Sequence, residues 1–462
     1  MDCTRNPSRI WGNAIAIGAI LAALLLPNYA WGAFASQFSL TVGEQYSDNI
    51  FFERKKEHDF ITTITPTLSL LYAPEGQSAP TLAVNFSPNA QFFARHSEEN
   101  NFGDGLSLNG AYAYEYSPRL RFRLSDNLQR LGQTRTGVSG NEGFAQVTGP
   151  VAGPAPPAGV PTDSRSRNLG DFISRGDQIS NSFSLQGSYL YAPDVSFTGG
   201  YVTTYTNFID QGGSDVSHNV GFRGTYNWRR DHNLHAGYWI SIINSRNGDK
   251  NVIHNFDVGD DYFSQYKLQL TPTFSVEARS GLSFNAGNSG PRVANNTNIT
   301  ATKLWETAIL SGGVKKGLTP SFGVSGVSDT TAFFIDFLLR LSERLSVRSG
   351  ANFALFDTED VNFKTFQGSL GLEYLITTWL SSGFNYNFRW IDSGSGATES
   401  DLLNRGKVNA NSVFLSLTAR FDLWPRIGLA RNLSSSTLIP VLTTPFPSAP
   451  PSLSPPTSVP GP

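Results

Sequence analysis

Phe60-Ile61-Thr62-Thr63-Ile64-Thr65-Pro66-Thr67-Leu68-Ser69-Leu70-Leu71-Tyr72 carries Phe60, Ile64, Leu68, Leu70 and Tyr72 on one alternating set of positions and mostly Thr and Ser on the other. A period of two is the mark of a strand, because successive strand side chains point to opposite faces. The run is also long. Globular strands average about five or six residues, whereas a tilted strand needs about nine to eleven to cross a bilayer.

The same pattern returns along the chain. Segment 105–116 sets Leu106, Leu108, Tyr112, Tyr114 and Tyr116 on one face, and 182–191 does so with Phe183, Leu185, Tyr189 and Tyr191. Further examples are 216–228, 345–355, 366–376, 380–390 and 413–423, each with an apolar face opposite Ser, Asn, Gly, Thr and Arg. Pro66 and Pro88 fall inside such runs and cannot donate to a sheet ladder. Short links (75–80, 117–118, 192–194, 229–233, 342–344, 377–378) alternate with longer polar ones (47–59, 97–104, 209–215, 247–253, 391–407). Short turns at one end and long loops at the other are the asymmetry of membrane barrels. An even strand count keeps both termini on one side. It is met by splitting 303–328 into strands 305–313 and 322–327, with a turn near 316–320. The expected fold is all-β: a transmembrane antiparallel up-and-down β-barrel of about eighteen strands, with sixteen as the alternative count. A soluble sandwich is the competing all-β fold, but it has no reason to sort its turn lengths by end.

Aromatics sharpen this expectation. Tyr72, Tyr116, Tyr191, Trp228 and Tyr374 each end a run that enters a short link, which sets a lower interfacial girdle. Phe92, Tyr205, Tyr386 and Trp390 lie near long links and would supply the upper one.

At the start of the chain, Arg5 and Arg9 precede an apolar run from Ala14 to Leu26, then Pro27 and the small-residue site Ala33-Phe34-Ala35. This is the layout of a secretory signal peptide over 1–35, cleaved before Ser36. No later run approaches the eighteen apolar residues of a membrane helix. Cys3 is the single cysteine and Met1 the single methionine, so the expected mature chain has no thiol for a disulfide, a metal or catalysis. The barrel is expected over 36–424, with a Gly/Pro-rich loop at 134–179 containing Gly149-Pro-Val-Ala-Gly-Pro-Ala-Pro-Pro-Ala-Gly-Val-Pro161. Nine prolines from Pro440 to Pro462 mark 425–462 as an extended Pro/Ser-rich tail. A net charge of −2 gives no argument for nucleic acid.

One motif stands apart. Gly43-Glu-Gln-Tyr46-Ser47-Asp48-Asn49-Ile50-Phe51 is followed by Asp59-Phe60-Ile61-Thr62 and Pro66, and later by Asn255-Phe256-Asp257-Val258-Gly259-Asp260-Asp261-Tyr262. These pieces resemble an outer-membrane β-barrel porin family linked with exopolysaccharide production, including members associated with PEP-CTERM sorting. The resemblance covers most of 37–424. It implies an outer-membrane location and a role in exporting or organising a polysaccharide, and brings no catalytic residue or ligand site. The long tail departs from the family pattern, in which the last strand closes the chain.

Positions alternating with the apolar faces should line a lumen. They include Arg119, Arg121 and Arg123 as a basic ladder, with Arg223, Arg279, Arg340, Arg348, Arg389 and Arg420 elsewhere on the wall. Acidic counterparts are Glu115, Asp257, Asp261, Glu277, Asp336, Glu373 and Asp422. Rings of charge select ions in a pore; charges that pair across strands instead satisfy one another. Both readings stay open. The expected function is a channel serving a polysaccharide, with a general diffusion pore and a plugged structural or adhesive barrel as alternatives. An enzyme is the competing class, yet His58, His96, His218, His232, His235 and His254 form no Ser/His/acid or metal-spacing motif. No cofactor is expected. The partners expected are outer-membrane lipid, the barrel-assembly machinery, a polysaccharide and periplasmic secretion components.

Overall fold

The computed structural model describes residues 34–424 apart from 73–80, 103–104, 132–177, 210–211, 230–231, 246–247, 249, 264–273, 288–290, 321–326, 358–361 and 394–405. The expected signal segment up to residue 33, nearly all of the 134–179 loop and the tail lie outside the described residues. The first strand begins at Phe34, two positions ahead of the expected cleavage site.

Twenty strand segments make one sheet that closes on itself. They are β1 (Phe34–Ser47), β2 (Asp59–Tyr72), β3 (Thr81–Ser87), β4 (Ala90–Phe93), β5 (Asn101–Phe102), β6 (Ser107–Ser117), β7 (Leu120–Leu131), β8 (Gln178–Ala192), β9 (Val195–Phe208) and β10 (Ser214–Arg229). The second half runs β11 (His232–Asn244), β12 (Lys250–Phe263), β13 (Phe274–Gly287), β14 (Arg292–Leu304), β15 (Ala308–Pro320), β16 (Val327–Arg340), β17 (Leu345–Asp357), β18 (Asn362–Leu375), β19 (Leu380–Ser393) and β20 (Lys407–Trp424). Since β3 and β4 share one crossing and β5 prolongs β6, the wall is an eighteen-strand antiparallel barrel. Closure runs between β1 and β20, from Ser36↔Trp424 to Ser47↔Ser412.

The split expected within 303–328 is corrected. Residues 316–320 are the end of β15, and the turn sits earlier, at Trp305-Glu306-Thr307 between β14 and β15. The expected strand at 322–327 falls mostly outside the described residues, and β16 starts at Val327.

Pro66 and Pro88 occupy a single interruption. β2 pairs with β3 over Leu68–Tyr72 and with β4 over Ile61–Ile64, and the common register places Pro66 directly opposite Pro88. Neither ring has an N–H to donate. Side chains bridge the gap instead: Thr65 Oγ1 donates to Asn89 Oδ1 at 3.1 Å, and Thr67 and Ser87 hydroxyls meet at 2.9 Å. On its other side Pro66 stays in register with Leu40 of β1.

Burial separates the two faces. Along β2, Ile61, Thr63, Thr65, Thr67, Ser69 and Leu71 are buried inside, while Phe60, Ile64, Leu68, Leu70 and Tyr72 face out. Exposed Val220, Phe222, Phe256, Val258, Ile335, Leu415 and Leu417 continue the outer apolar belt around the barrel. Large inward aromatics lie over glycine. A β-carbon at Gly221 would overlap the Trp239 ring, and one at Gly43 would overlap Phe414. Both rings are nearly fully buried, flat on the inner wall.

Candidate functional site

The two rims are set by the aromatics. At the turn end Tyr116, Tyr191, Trp228 and Tyr374 are outward and exposed, and Tyr72 faces out on β2. Trp305 and Trp379 join them from the turns after β14 and β18. The ring of Trp379 stacks on Phe421, and Phe421 in turn on Phe38. Toward the loop end Phe92 packs edge-on against Phe102, Tyr205 and Trp390 hold outward register positions, and Tyr386 donates to Asn411 Oδ1 at 2.7 Å. This geometry suits a bilayer, whose interfaces favour Tyr and Trp at both ends of an apolar band. The only structures that satisfy every backbone polar group across such a band are helices and closed barrels. No helix among the described residues is long and apolar enough to cross a membrane.

The inner wall is polar and partly self-neutralised. Arg121 on β7 pairs with Glu115 on β6 at 3.1 Å. Arg420 on β20 reaches Glu373 on β18 at 3.1 Å, across the intervening strand. Arg223 and Asp257 meet at 2.7 Å with both side chains buried, and His235 lies 3.9 Å from the same carboxylate. Gln37 donates to Asp422 at 2.9 Å. Arg123, Arg348 and Arg389 occupy inward positions on β7, β17 and β19, and Asp336 faces in on β16. Arg340 is at the turn end of β16 and exposed. Arg119 is not part of the ladder: it sits exposed in the Pro118-Arg119 turn, where its carbonyl accepts the N–H of Leu190. Arg279 and Glu277 share register with Gly259 and Asp261, and their side chains lie outside the described set.

The loop-end mouth is narrowed from one side by the β1–β2 loop. Asp48 Oδ1 accepts the N–H of Asn411, and Asn49 Nδ2 donates to the carbonyls of Glu53 at 2.7 Å and Asn409 at 2.9 Å. Glu53 N–H returns a bond to Asn49 Oδ1, so the asparagine closes the turn on itself. This turn puts Phe52 at φ 52°, a left-handed conformation uncommon outside glycine. Burial holds it there. The Phe52 ring packs in a cluster with Ala332, Ala354, Phe356, Phe363, Ile391, Val408 and Ala410, and Arg389 stands 5.8 Å from its centre. Ile50 is fully buried with Ile61 and Phe93, and Phe51 meets His96 edge-on. His96 bridges Asp59 at 2.8 Å and Glu57 at 3.2 Å; its bond to Asp59 raises its pKa above the usual histidine value, and burial only partly offsets this.

A neighbouring arc of the mouth is narrowed by the end of the β15–β16 hairpin. Leu318 and Val327 cluster with Ile243, Ile253 and Ala294, inner-wall residues of β11, β12 and β14. Neither mouth segment was singled out as a site in the sequence. Phe52 sits in a run read as a polar loop, and Leu318 in a run read as a turn. His218 and His254 make Tyr–His contacts on the outer face, Tyr201 with His218 at 2.9 Å and Tyr238 with His254 at 2.8 Å, while His58 lies beside Arg95 and Tyr46. Among the described residues no group of three His, Cys, Asp or Glu is placed to hold a metal ion.

No family model matches the chain, and no curated protein matches it. Solved barrels do. Pseudomonas aeruginosa OccK5 (OpdH) aligns over 85% of this chain and 100% of its own at 10% identity and a TM-score of 0.45. Pseudomonas aeruginosa OccK2 (OpdF), in complex with glucuronate, aligns over 84% and 98% at 10% identity and 0.44. Acinetobacter baumannii OccAB3 aligns over 84% and 99% at 11% identity and 0.40. The fold is a closed antiparallel β-barrel, with a polar lumen inside an apolar, aromatic-edged wall.

Proposed function

We propose that this barrel is a passive diffusion pore for small polar solutes. The observation that carries the reading is the inner wall: Ser, Thr and Asn positions interspersed with opposite charges that pair on the wall, as in Glu115–Arg121 and Glu373–Arg420. Such a surface wets readily and holds no single strong charge. Export of a polysaccharide, the role implied by the sequence resemblance, asks for an outer mouth clear of inward segments. Phe52 and the Leu318–Val327 pair occupy two arcs of that mouth.

The test is reconstitution. Planar bilayers should show stepwise conductance, and proteoliposomes should swell in monosaccharides, and in glucuronate as a small anion, more slowly as solute size grows. Absence of any conductance in the refolded, heat-modifiable barrel overturns the pore reading and favours a plugged barrel. A conductance blocked by long acidic polysaccharide threading from the periplasmic side would restore the export reading.

A further inference from the structure

Near its loop end the outward face of β18–β20 carries a row of charge. Phe363, Ile391 and Val408 are buried with Phe52 on the inner side, so by alternation Lys364, Asp392 and Lys407 point out. The register sets these three side by side, Lys364↔Asp392 and Asp392↔Lys407. Lys407 stands 3.9 Å from Asp392 with its side chain 76% exposed. Lys364 is exposed and makes no ion pair among the described residues. The row therefore holds two cations for one acid, and the acid is engaged on one side only.

The next outward positions toward the turns are aromatic. Phe366 lies opposite Trp390, and Phe388 opposite Gly368. The Phe366 and Phe388 rings meet at 5.9 Å. A β-carbon at Gly368 would come within 3.4 Å of the Phe366 ring, so glycine leaves room for that ring against the strands.

Height relates both rows to a bilayer. Lys364 is eleven residues from Leu375 at the turn end of β18, and Trp390 is ten from Leu380 at the turn end of β19. At about 3.4 Å per residue and a tilt near 45°, these lie roughly 26 and 24 Å above the turns. The apolar band of an outer-membrane barrel is about 25 Å tall. The rings thus reach the edge of the hydrocarbon, and the lysines stand at headgroup level, where a cation is attracted to anionic lipid.

We infer that the outward face of β18–β20 is a seat for an anionic, phosphate-bearing lipid of the leaflet at the loop end. The phosphate lies between Lys364 and Lys407, and an acyl chain runs down over Trp390, Phe366 and Phe388. Asp392 offsets one of the two positive charges, so its neutralisation strengthens the seat. The inference rests on the membrane reading of the wall and is independent of what the lumen passes.

The test places the full chain in phosphatidylcholine nanodiscs containing a rising fraction of lipid brominated high on its acyl chains, either phosphatidylglycerol or phosphatidylcholine. Bromine quenches tryptophan on contact, and the difference from Trp390→Phe isolates the share of Trp390. That share should reach half its maximum at about one-fifth the lipid fraction with the anionic lipid, the shift that one net positive charge at the headgroup gives. Lys364→Gln with Lys407→Gln should bring the two titrations together, and Asp392→Asn should move the anionic one to still lower fractions. Superimposed titrations in the wild type, or a preference that survives the double replacement, overturn the seat. So does a preference weakened by Asp392→Asn, which would make the row an ion pair bracing the strands. Loss of the preference in added inorganic phosphate also overturns it, by assigning the lysines to free anion. Quenching by neither lipid would instead remove the membrane reading, which keeps that failure distinct.

Discussion

Asp48, the first residue beyond β1, accepts the main-chain N–H of Asn411 at 2.6 Å and the Asn411 side-chain amide at 2.9 Å, tying the first loop to the last strand. Lys56 adds a third bond to the same carboxylate at 2.8 Å. Burial alone would raise the Asp48 pKa, but the bonds from Asn411 and Lys56 outweigh it and hold the group below the usual carboxylate range. Asp48→Ala should destabilise the loop by about 1–3 kcal/mol, the cost of leaving buried donors unmet. Faster tryptic cleavage at Lys55 and Lys56 would report it. Because the folded pKa is depressed, the contribution is present above about pH 4 and disappears as pH falls through the folded value. Loop protection in the wild type should fall below pH 4, and the variant should lack that step.

His96 works with the opposite sign. Its folded pKa is raised by Asp59, so its contribution is complete below about pH 6.5 and is lost as pH rises through the folded value. Glu57 and Glu98 also favour the charged form. His96→Gln keeps a hydrogen bond without the charge. The ratio of variant to wild-type cleavage in the β1–β2 loop should exceed one at pH 6 and approach one at high pH; a pH-independent ratio would remove His96 as the titrating group.

Phe52→Ala removes the ring that seven wall residues enclose. Large-to-small changes of this kind cost about 3–5 kcal/mol when the surroundings cannot collapse. Here the loss falls on the loop, so the expected outcome is larger and noisier single-channel conductance with an unchanged thermal transition of the barrel. Unchanged conductance would mean that Phe52 does not limit the mouth.

Arg121→Ser leaves Glu115 facing the lumen without its 3.1 Å partner. The reversal potential in a salt gradient should move toward cation preference. Arg119→Ser, in the exposed turn, is the matched control and should leave the potential where it was.

Much of the wall could be read from alternation alone. The β2 pattern and the aromatics at short turns need only a period of two and a lipid exterior, and the Ser, Thr and Asn faces follow from the same count. The mouth could not be read so easily, because alternation states which face a residue takes on an intact wall. Leu318 is outward by count and inward in fact, since β15 leaves β14 above Lys316. Gly317 and Pro320 suggested a turn, but above Lys316 β15 has no ladder to β14, so Pro320 forfeits no ladder bond on that side and strand geometry persists. Arg119 shares parity with Arg121, but the register shift near Glu115 and Ser117 and the turn that follows carry it off the wall. Glu373 and Arg420 pair across an intervening strand, which no neighbour rule in one sequence reveals.

The opposed prolines take two hydrogen bonds out of one rung of the wall. Each ring keeps its carbonyl, so an N–H introduced at position 66 finds the Pro88 oxygen as its acceptor, and one introduced at position 88 finds the Pro66 oxygen. The rung is therefore mendable in halves: either single replacement restores one bond, and a lineage can close this weak point of the sheet one residue at a time.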